Sequence, residues 1–249
     1  MDRPHFVTSY CRSSQPVEFF SLEKQKSRLT ITALDNLDVT SLVRDITQDA
    51  KGWLPLAAEA LCIAADINDY VLVPTISMPS DLPNRNHQAF PLEELTAWCV
   101  DHGAPMFKTW TGQPCHEEHA NDDPTAAKGI ILDCSMRPIA NSYGNIWKVL
   151  KLAAWDRRKD PALVNGILSG TRSSYSMGAN CRYLECSVCG SRLGQPNHCN
   201  HVDLQSPRFK VVEGRVAYYN VIAPVGIELS TVASPAYFSA KDNKPLGAW

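Results

Sequence analysis

Residues 173–202 read SSYSMGANCRYLECSVCGSRLGQPNHCNHV, and this stretch joins a Ser-Met-Gly tripeptide to a cluster of cysteines and histidines. Its first half has the character of a β-strand that begins near Ser176, shortly after a predicted helix. Its second half has the spacing of a metal-binding loop. This part of the chain is therefore compatible with two kinds of chemistry, a serine nucleophile and a bound metal ion.

The second half of the stretch has the ligand spacing of a zinc site. A C-x-x-C pair is followed by Gly190. This glycine can adopt the backbone conformation of a tight turn that points both sulfurs the same way. The predicted ligands are Cys186, Cys189, Cys199 and His201, with His198 as the alternative to His201 and Cys181 as a weaker candidate. Three sulfurs and one imidazole suit tetrahedral Zn²⁺. Because protein would fill all four positions, the pattern predicts a structural zinc and not a catalytic one.

Composition narrows the class of protein. The 249 residues include nine cysteines, an odd number, and the clustering of four of them favours a metal over a disulfide framework. The net charge of −2 and a loop GSRLGQPNHCN with one Arg and no Lys argue against a nucleic-acid binder. No apolar run approaches the ~20 residues that span a bilayer. The start MDRPHFVTSYC lacks the apolar core of a secretory signal, so we expect a cytosolic setting without membrane association.

The order of segments predicts a β-rich core with a few helices, in the α+β or closed-barrel range. Residues 1–27 are interpreted as an N-terminal arm, 28–249 as one domain, 181–202 as a zinc-binding insert and 241–249 as a flexible tail. Strands are predicted at 29–33, 69–78, 105–110, 128–136, 145–155, 173–186, 209–223 and 226–236, and the periodicity of 145–155 is also compatible with a helix. Helices are predicted near Asp38 or Thr40, over 91–103, and over 160–170 with Asp160 as N-cap, Pro161 at the first position and Gly170 at the C-terminal end.

A serine nucleophile requires a base, and the best candidate lies in CHEEHANDDPTAAKGIILD, residues 115–133. Here a polar turn that carries His116 and His119 leads into a predicted strand. The histidines of HEEH are three residues apart, which does not match the H-E-x-x-H spacing of a zinc hydrolase. The glycine after Ser176 and Met177 would leave room for a substrate backbone.

The order of motifs resembles that of the prohead maturation proteases of tailed bacteriophages, which are similar in fold to the herpesvirus maturation protease (assemblin). The motifs are H-x-N, A-x-G-I-I-L-D, a W-K-V-L-K-L strand, D-P-x-L-V-x-x-I-L-S-G, S-Y-S-M-G and I-E-L-S-x-V-x-x-P-A. The likeness runs from about Lys108 to Ala240. Some large-phage members of this group also carry a C-x-x-C…C-x-H insert after the Ser-Met-Gly turn.

Carried over by motif, the resemblance implies that Ser176 is the nucleophile and His119 the base. His116 is the fallback base, and Ser174 is the next candidate nucleophile. The third member would be Glu228, in GIELSTVASPA, with Asp133 as the alternative acid. The fold implied is a β-barrel-like core of the herpesvirus and prohead protease type, with surrounding helices and a small zinc-bound loop.

The function implied by the resemblance is that of a serine endopeptidase that matures a phage capsid. Its substrates would be the scaffold or core proteins and the major capsid protein, and it would cleave itself and self-associate. It would act inside the prohead, in the host cytoplasm. The alternative is a catalytically inactive, zinc-binding structural protein of the capsid or scaffold that retains the protease fold.

Overall fold

The computed structural model describes residues 5–6, 39–139, 146–237 and 240, of which residues 5–6 and 39–43 are described by backbone alone. Most of the predicted arm over 1–27, the strand predicted at 29–33 and the tail over 241–249 lie outside these residues. Within the described part of the chain, the helices are all too short or too polar to cross a membrane.

The strands and helices alternate irregularly along the chain, with most of the helices in its first half. The helices are α1 (Val39–Ala50), α2 (Leu54–Leu61), α3 (Leu92–Thr96) and α4 (Pro161–Leu168). The strands are β1 (His5–Phe6), β2 (Tyr70–Pro79), β3 (Gln88–Ala89), β4 (Trp98–Cys99), β5 (Ala104–Pro105), β6 (Pro114–Glu117), β7 (Gly129–Pro138), β8 (Trp147–Asp156), β9 (Tyr175–Cys181), β10 (Tyr183–Cys186), β11 (Val211–Val212), β12 (Arg215–Val216), β13 (Tyr219–Ile222) and β14 (Val225–Thr231).

One seven-stranded sheet dominates the molecule, in the order β1-β9-β14-β6-β7-β8-β2. Its pairs are antiparallel except for β14 and β6, which run parallel. The sheet curls into a half-barrel, so that β2 at one end comes into contact with β9 near the other. The α+β class predicted from the sequence is confirmed at this level.

The curled sheet is buried on its concave side by its own side chains. Val73, Ile131, Ala153 and Trp155 belong to this inner core, and all are fully buried. On the convex side, α1 and α2 cover β2, β7 and β8 with a second cluster that includes Leu54. Strands buried on both faces have apolar residues at nearly every position, which explains the apolar run 70–74 at the start of β2.

Two predicted elements are wrong in extent. The helix predicted over 91–103 ends at Thr96, because Ala97 is already extended, with ψ 147°, and Trp98 begins β4. The strand predicted over 209–223 is three short strands, β11, β12 and β13, because Glu213 and Gly214 turn the chain between the first two.

Other local signals predicted one element well and another badly. In α4, the Asp160 side chain accepts a hydrogen bond from the Leu163 amide at 3.0 Å, as a predicted N-cap should, and Gly170 follows the helix with φ +77°. The strand predicted at 105–110 is wrong. Met106–Lys108 form a 3-10 turn, because the Thr109 amide and hydroxyl both donate to the Met106 carbonyl.

A smaller three-stranded sheet, β10-β13-β3, extends from the end of the main sheet. Its first strand continues from β9 after a single intervening residue, Arg182. The hairpin of β11 and β12 precedes β13 and turns through Glu213 and Gly214, both at positive φ. This second sheet supports the cysteine- and histidine-rich segment.

Candidate active site and metal cluster

Strand β9 presents Ser176 away from the main core. Tyr175, Met177 and Ala179 belong to that core, and Ser176 lies between the first two on the opposite face of the strand, with 8% of its surface exposed. It borders a small cavity formed with β2, the loop around β3 and the segment after β14. The other side chains that line this cavity are Ser77, Asn84, Phe90, Tyr175, Met177, Ala236 and Tyr237.

The neighbouring strand β14 presents a second polar face to the same side. Ser230 pairs directly with Ser176, and Glu228 pairs with Gly178. Paired residues of adjacent strands point to the same face with Cβ atoms about 4.5–5.5 Å apart. Ser176, Ser230 and Glu228 therefore share one face of the sheet, and the last two are fully buried.

Gly178 makes room for the Glu228 carboxyl group. A Cβ atom at position 178 would lie 2.8 Å from Glu228 Oε1 and 2.9 Å from its Cγ, closer than real contacts allow. The peptide of Gly178 is also fixed, because the indole Nε1 of Trp110 donates to its carbonyl at 2.9 Å. The glycine of the Ser-Met-Gly tripeptide therefore admits the carboxyl group of another strand, a role that its neighbours in sequence do not reveal.

His119 occupies the turn that follows β6. Both Glu118 and His119 have positive φ, +50° and +59°, a conformation that costs non-glycine residues free energy. Hydrogen bonds to β14 hold the turn: the Glu118 amide donates to the Thr231 carbonyl at 2.9 Å, and the His119 amide donates to Ser230 Oγ at 3.2 Å. The imidazole Nδ1 lies 2.8 Å from Glu228 Oε1.

The contact with Glu228 determines the chemistry of the imidazole. A carboxylate only accepts hydrogen bonds, so Nδ1 carries the proton and Nε2 is left as the basic nitrogen. Burial alone lowers the pKa of His119, but the hydrogen bond and the negative charge of Glu228 outweigh it and raise that pKa above its ordinary value. The arrangement can therefore hold a base in one tautomer and stabilise its protonated form.

The alternative candidates for the acid, the base and the nucleophile lie outside the contact between His119 and Glu228. Asp133 forms an ion pair with Lys108 at 2.6 Å, whereas Glu228 is the acid that contacts His119. His116 lies within β6 and not in the turn; it is 1% exposed, and neither ring nitrogen has a hydrogen-bond partner among the described residues. Burial lowers the pKa of His116. Ser174 lies just before β9, and its carbonyl accepts from the Val232 amide.

Sequence reasoning overlooked two residues in this region. Ser230 is one; its place two positions after Glu228 on a predicted strand was the available signal, because alternate residues of a strand share a face. Lys151 is the other. It is 1% exposed inside the half-barrel, with Nζ 3.5 Å from Met177 Sδ and 4.2 Å from the centre of the Trp110 ring. Burial lowers its pKa to about 7.

The second sheet brings four predicted metal ligands together. The Sγ atoms of Cys186, Cys189 and Cys199 and one ring nitrogen of His201 all lie within 4.8 Å of one another. Cys186 Sγ and His201 Nδ1 are 3.7 Å apart, close to the roughly 3.6 Å that a tetrahedral zinc with ordinary bond lengths would impose. The cluster could therefore hold a metal ion.

The backbone around the C-x-x-C pair is already shaped for binding. The Gly190 amide donates to the Cys186 carbonyl at 2.9 Å, and Gly190 has the positive φ of +73° that such a turn requires. The Val188 amide lies 3.4 Å from Cys186 Sγ, so it can donate to a thiolate. Hydrogen bonding from Ser191 lowers the pKa of Cys189 to about 6, which favours the thiolate that metals bind.

The two weaker ligand candidates do not join this cluster. His198 Nδ1 lies 3.0 Å from the Gln195 carbonyl, within its own turn. Cys181 is buried in the inner core at the end of β9, and burial raises the pKa of its thiol to about 12. Among the alternatives weighed from the sequence, the structure therefore gathers the set with His201.

Comparison with known proteins identifies no relative of this chain. No family model matches the sequence, and no curated protein or solved structure matches it either. Function is therefore inferred from two features of the chain itself. The first is a buried carboxyl group that lies on the same face of the sheet as a serine and is bonded to an imidazole, and the second is a separate cluster of three cysteines and a histidine.

Proposed function

We propose that this chain is a serine endopeptidase in which Ser176 is the nucleophile, His119 the base and Glu228 the acid that orients it. One observation carries the proposal: the fully buried carboxyl group of Glu228 is bonded to His119 Nδ1, on the face of the sheet that also carries Ser176. A buried carboxylate is costly unless it is paired, so an arrangement that keeps one against an imidazole has a functional rationale.

The reaction would proceed in two stages. Ser176 Oγ would attack the scissile carbonyl carbon while its proton passes to His119 Nε2, and the imidazolium would be stabilised by Glu228. His119 would then give that proton to the leaving amine, which breaks the peptide bond and leaves an acyl-enzyme. A water molecule, deprotonated by His119, would release the second product and regenerate Ser176.

The resemblance of the motifs specifies the biological setting of the proposal. The protease would be of the prohead maturation type, with the barrel-like fold of that group, and its substrates would be internal scaffold and capsid proteins of a tailed phage and its own chain. It would act within the prohead in the host cytoplasm. The curled half-barrel and the polar face shared by β9 and β14 support this assignment.

The metal in the cluster is proposed to be zinc with a structural role. Three thiolates and one imidazole are the donor set that zinc prefers, and they leave no open position for a substrate or a water molecule. The first ligand, Cys186, is the last residue of β10, and the other three lie on the segment that follows it. β10 in turn continues the strand that carries Ser176 after a single residue. Zinc would supply no step of the chemistry; it would fix the loop beside the active-site strand.

A covalent probe tests the nucleophile without knowledge of the natural substrate. A fluorophosphonate should label the purified protein once per chain, and peptide mapping should place the label on Ser176. Ser176→Ala should abolish both labelling and proteolysis of a co-expressed scaffold protein, while Ser174→Ala, two residues away, should retain them. Labelling that persists in folded Ser176→Ala would overturn the proposal. A folded wild-type protein that is never labelled would favour the inactive structural protein.

A further inference from the structure

Ser230 lies at the centre of the polar face on β14. It is fully buried, and its hydroxyl donates to Glu228 Oε2 at 2.5 Å while it accepts from the His119 amide at 3.2 Å. One side chain therefore binds both of the residues proposed to activate the nucleophile. We propose that Ser230 is a positioning residue that fixes the His119–Glu228 pair, an inference that rests on the proposed function.

The first effect of Ser230 is on the carboxyl group. Glu228 uses Oε1 for the imidazole of His119 and Oε2 for the hydroxyl of Ser230, so both oxygens have a donor. Two donors fix the plane of the carboxylate, whereas one would allow it to rotate about its last torsion. Without the hydroxyl, Oε2 would be a buried charged oxygen that has lost a partner, and the carboxylate would reorient to recover one.

The second effect is on the backbone of the base. His119 is held at φ +59°, and its amide donates to Ser230 Oγ. The adjacent bond, from the Glu118 amide to the Thr231 carbonyl, uses only backbone atoms and survives any substitution at position 230. Loss of the hydroxyl would therefore free the ring-bearing residue while the turn stays attached, and the ring could move relative to Glu228.

Thr231 provides a matched control on the same strand. It is also fully buried, and its hydroxyl has no hydrogen-bond partner among the described residues. Thr231→Val keeps the shape and removes a hydroxyl with no partner in the described part of the chain, so it reproduces the removal of a buried hydroxyl in Ser230→Ala without the loss of one of the described hydrogen bonds. A purely structural contribution of buried hydroxyls would affect both variants alike.

The test follows the Nδ1 proton of His119 by proton NMR in the full-length zinc-loaded protein. Wild type and Thr231→Val should show a slowly exchanging downfield signal that Ser176→Ala retains and Glu228→Gln loses. Ser230→Ala should broaden or lose it, and Ser230→Thr, which keeps a hydroxyl, should restore it. If Ser230→Ala does not fold, Ser230→Cys keeps the volume with a weaker donor and should show the same change to a smaller degree.

Activity provides the second readout. Ser230→Ala should lower kcat by up to about a hundredfold with little change in KM, since misplacement of a catalytic group by about 1 Å has effects of that size. A Ser230→Ala protein with the wild-type Nδ1 signal and wild-type kcat would overturn the positioning role. The NMR signal does not depend on proteolysis, so a protein that cleaves nothing but shows the expected signals would refute the proposed function and leave the role of Ser230 intact.

Discussion

The two polar regions of this molecule are assembled in opposite ways. The metal cluster draws its four ligands from Cys186 to His201, a single short segment whose spacing already indicates the geometry. The His119–Glu228 pair joins residues more than one hundred positions apart, and it forms only because β14 inserts between β6 and β9. The structure of the metal cluster should therefore depend on the bound metal, and the geometry of the His119–Glu228 pair on the integrity of the sheet.

The largest effect should come from removal of the base. His119→Ala should lower kcat by about a millionfold, because the serine then has no group to accept its proton. The double variant with Ser176→Ala should be little worse than either single variant, since the two act as one unit. Zinc content, measured by elemental analysis, should stay at the wild-type level in all three.

His198→Ala is the matched control for this experiment. His198 lies in the metal-bearing segment but contacts the Gln195 carbonyl and not the cluster, so activity and zinc should both be retained. A folded His119→Ala protein with normal activity would contradict the assignment. If His116→Ala were the inactive variant instead, the motif alignment would be wrong by three residues.

The next effect concerns the acid. Glu228→Gln removes the negative charge that raises the pKa of His119, so that pKa should fall. Since the neutral imidazole is the active base, the acidic limb of the kcat/KM profile should move to lower pH, while the maximum falls by up to about ten-thousandfold. An acidic limb in the same place as in wild type would show that Glu228 does not control the base.

The same contact predicts a pH dependence of stability. A histidine whose pKa is raised in the folded state stabilises the fold fully below its unfolded pKa, and this contribution is lost as the pH rises through the folded pKa. The free energy of unfolding of wild type should therefore show a component that decreases with pH around neutrality and is absent from Glu228→Gln. Denaturant unfolding at several pH values measures it.

These contrasts also show what a sequence can and cannot predict. The cap of α4 by Asp160 and the cysteine spacing of the cluster are local patterns, and both appear in the structure as expected. The contact between His119 and Glu228 has no local signal, since it depends on the parallel pairing of β14 with β6. For the same reason the role of Gly178 and the hydrogen bond from the His119 amide to Ser230 could be identified only with the strands in register, although the spacing of Ser230 from Glu228 was visible in the sequence.

Loss of the metal should affect stability first and activity second. The wild-type protein should contain about one zinc per chain, as expected for four ligands around one ion. Cys189→Ser should lower both the zinc content and Tm, and each kcal/mol lost should lower Tm by about 2–4 °C for a chain of this size. Chelation should inactivate slowly, at the rate of local unfolding, because a structural metal would take no part in the proposed reaction.

The control for the metal is Cys62→Ser, an exposed cysteine at the end of α2 that lies outside the cluster. It should leave zinc content and Tm close to wild type. A metal-free protein that folds and melts like the zinc-loaded form would contradict the structural role. Immediate and reversible loss of activity on chelation, with the fold intact, would instead indicate a metalloenzyme.

The last effect lies beneath β9, at Lys151. Its folded pKa of about 7, against an ordinary value of 10.5, means that the unfolded chain binds more protons between these two pH values. Stability should therefore rise with pH over this window, by at most about 1.4 kcal/mol per pH unit from this group. Lys151→Met should be more stable than wild type at pH 7, and the difference should shrink as the pH approaches 10.

The quantity to measure is the difference in the free energy of unfolding between wild type and Lys151→Met at each pH. Cys115 and Cys134 share the interior with Lys151, and burial raises the pKa of both thiols. At alkaline pH these thiols therefore lose their protons first in the unfolded chain. The free energy of unfolding then falls as the pH rises, which opposes the effect of the lysine. That opposing contribution is common to wild type and Lys151→Met and cancels in the difference. Lys148→Met, on the same strand but partly exposed, controls for the loss of a lysine side chain from β8. A difference for Lys151→Met that does not change with pH would mean that its amine remains hydrated and charged, and that water enters the half-barrel below Met177.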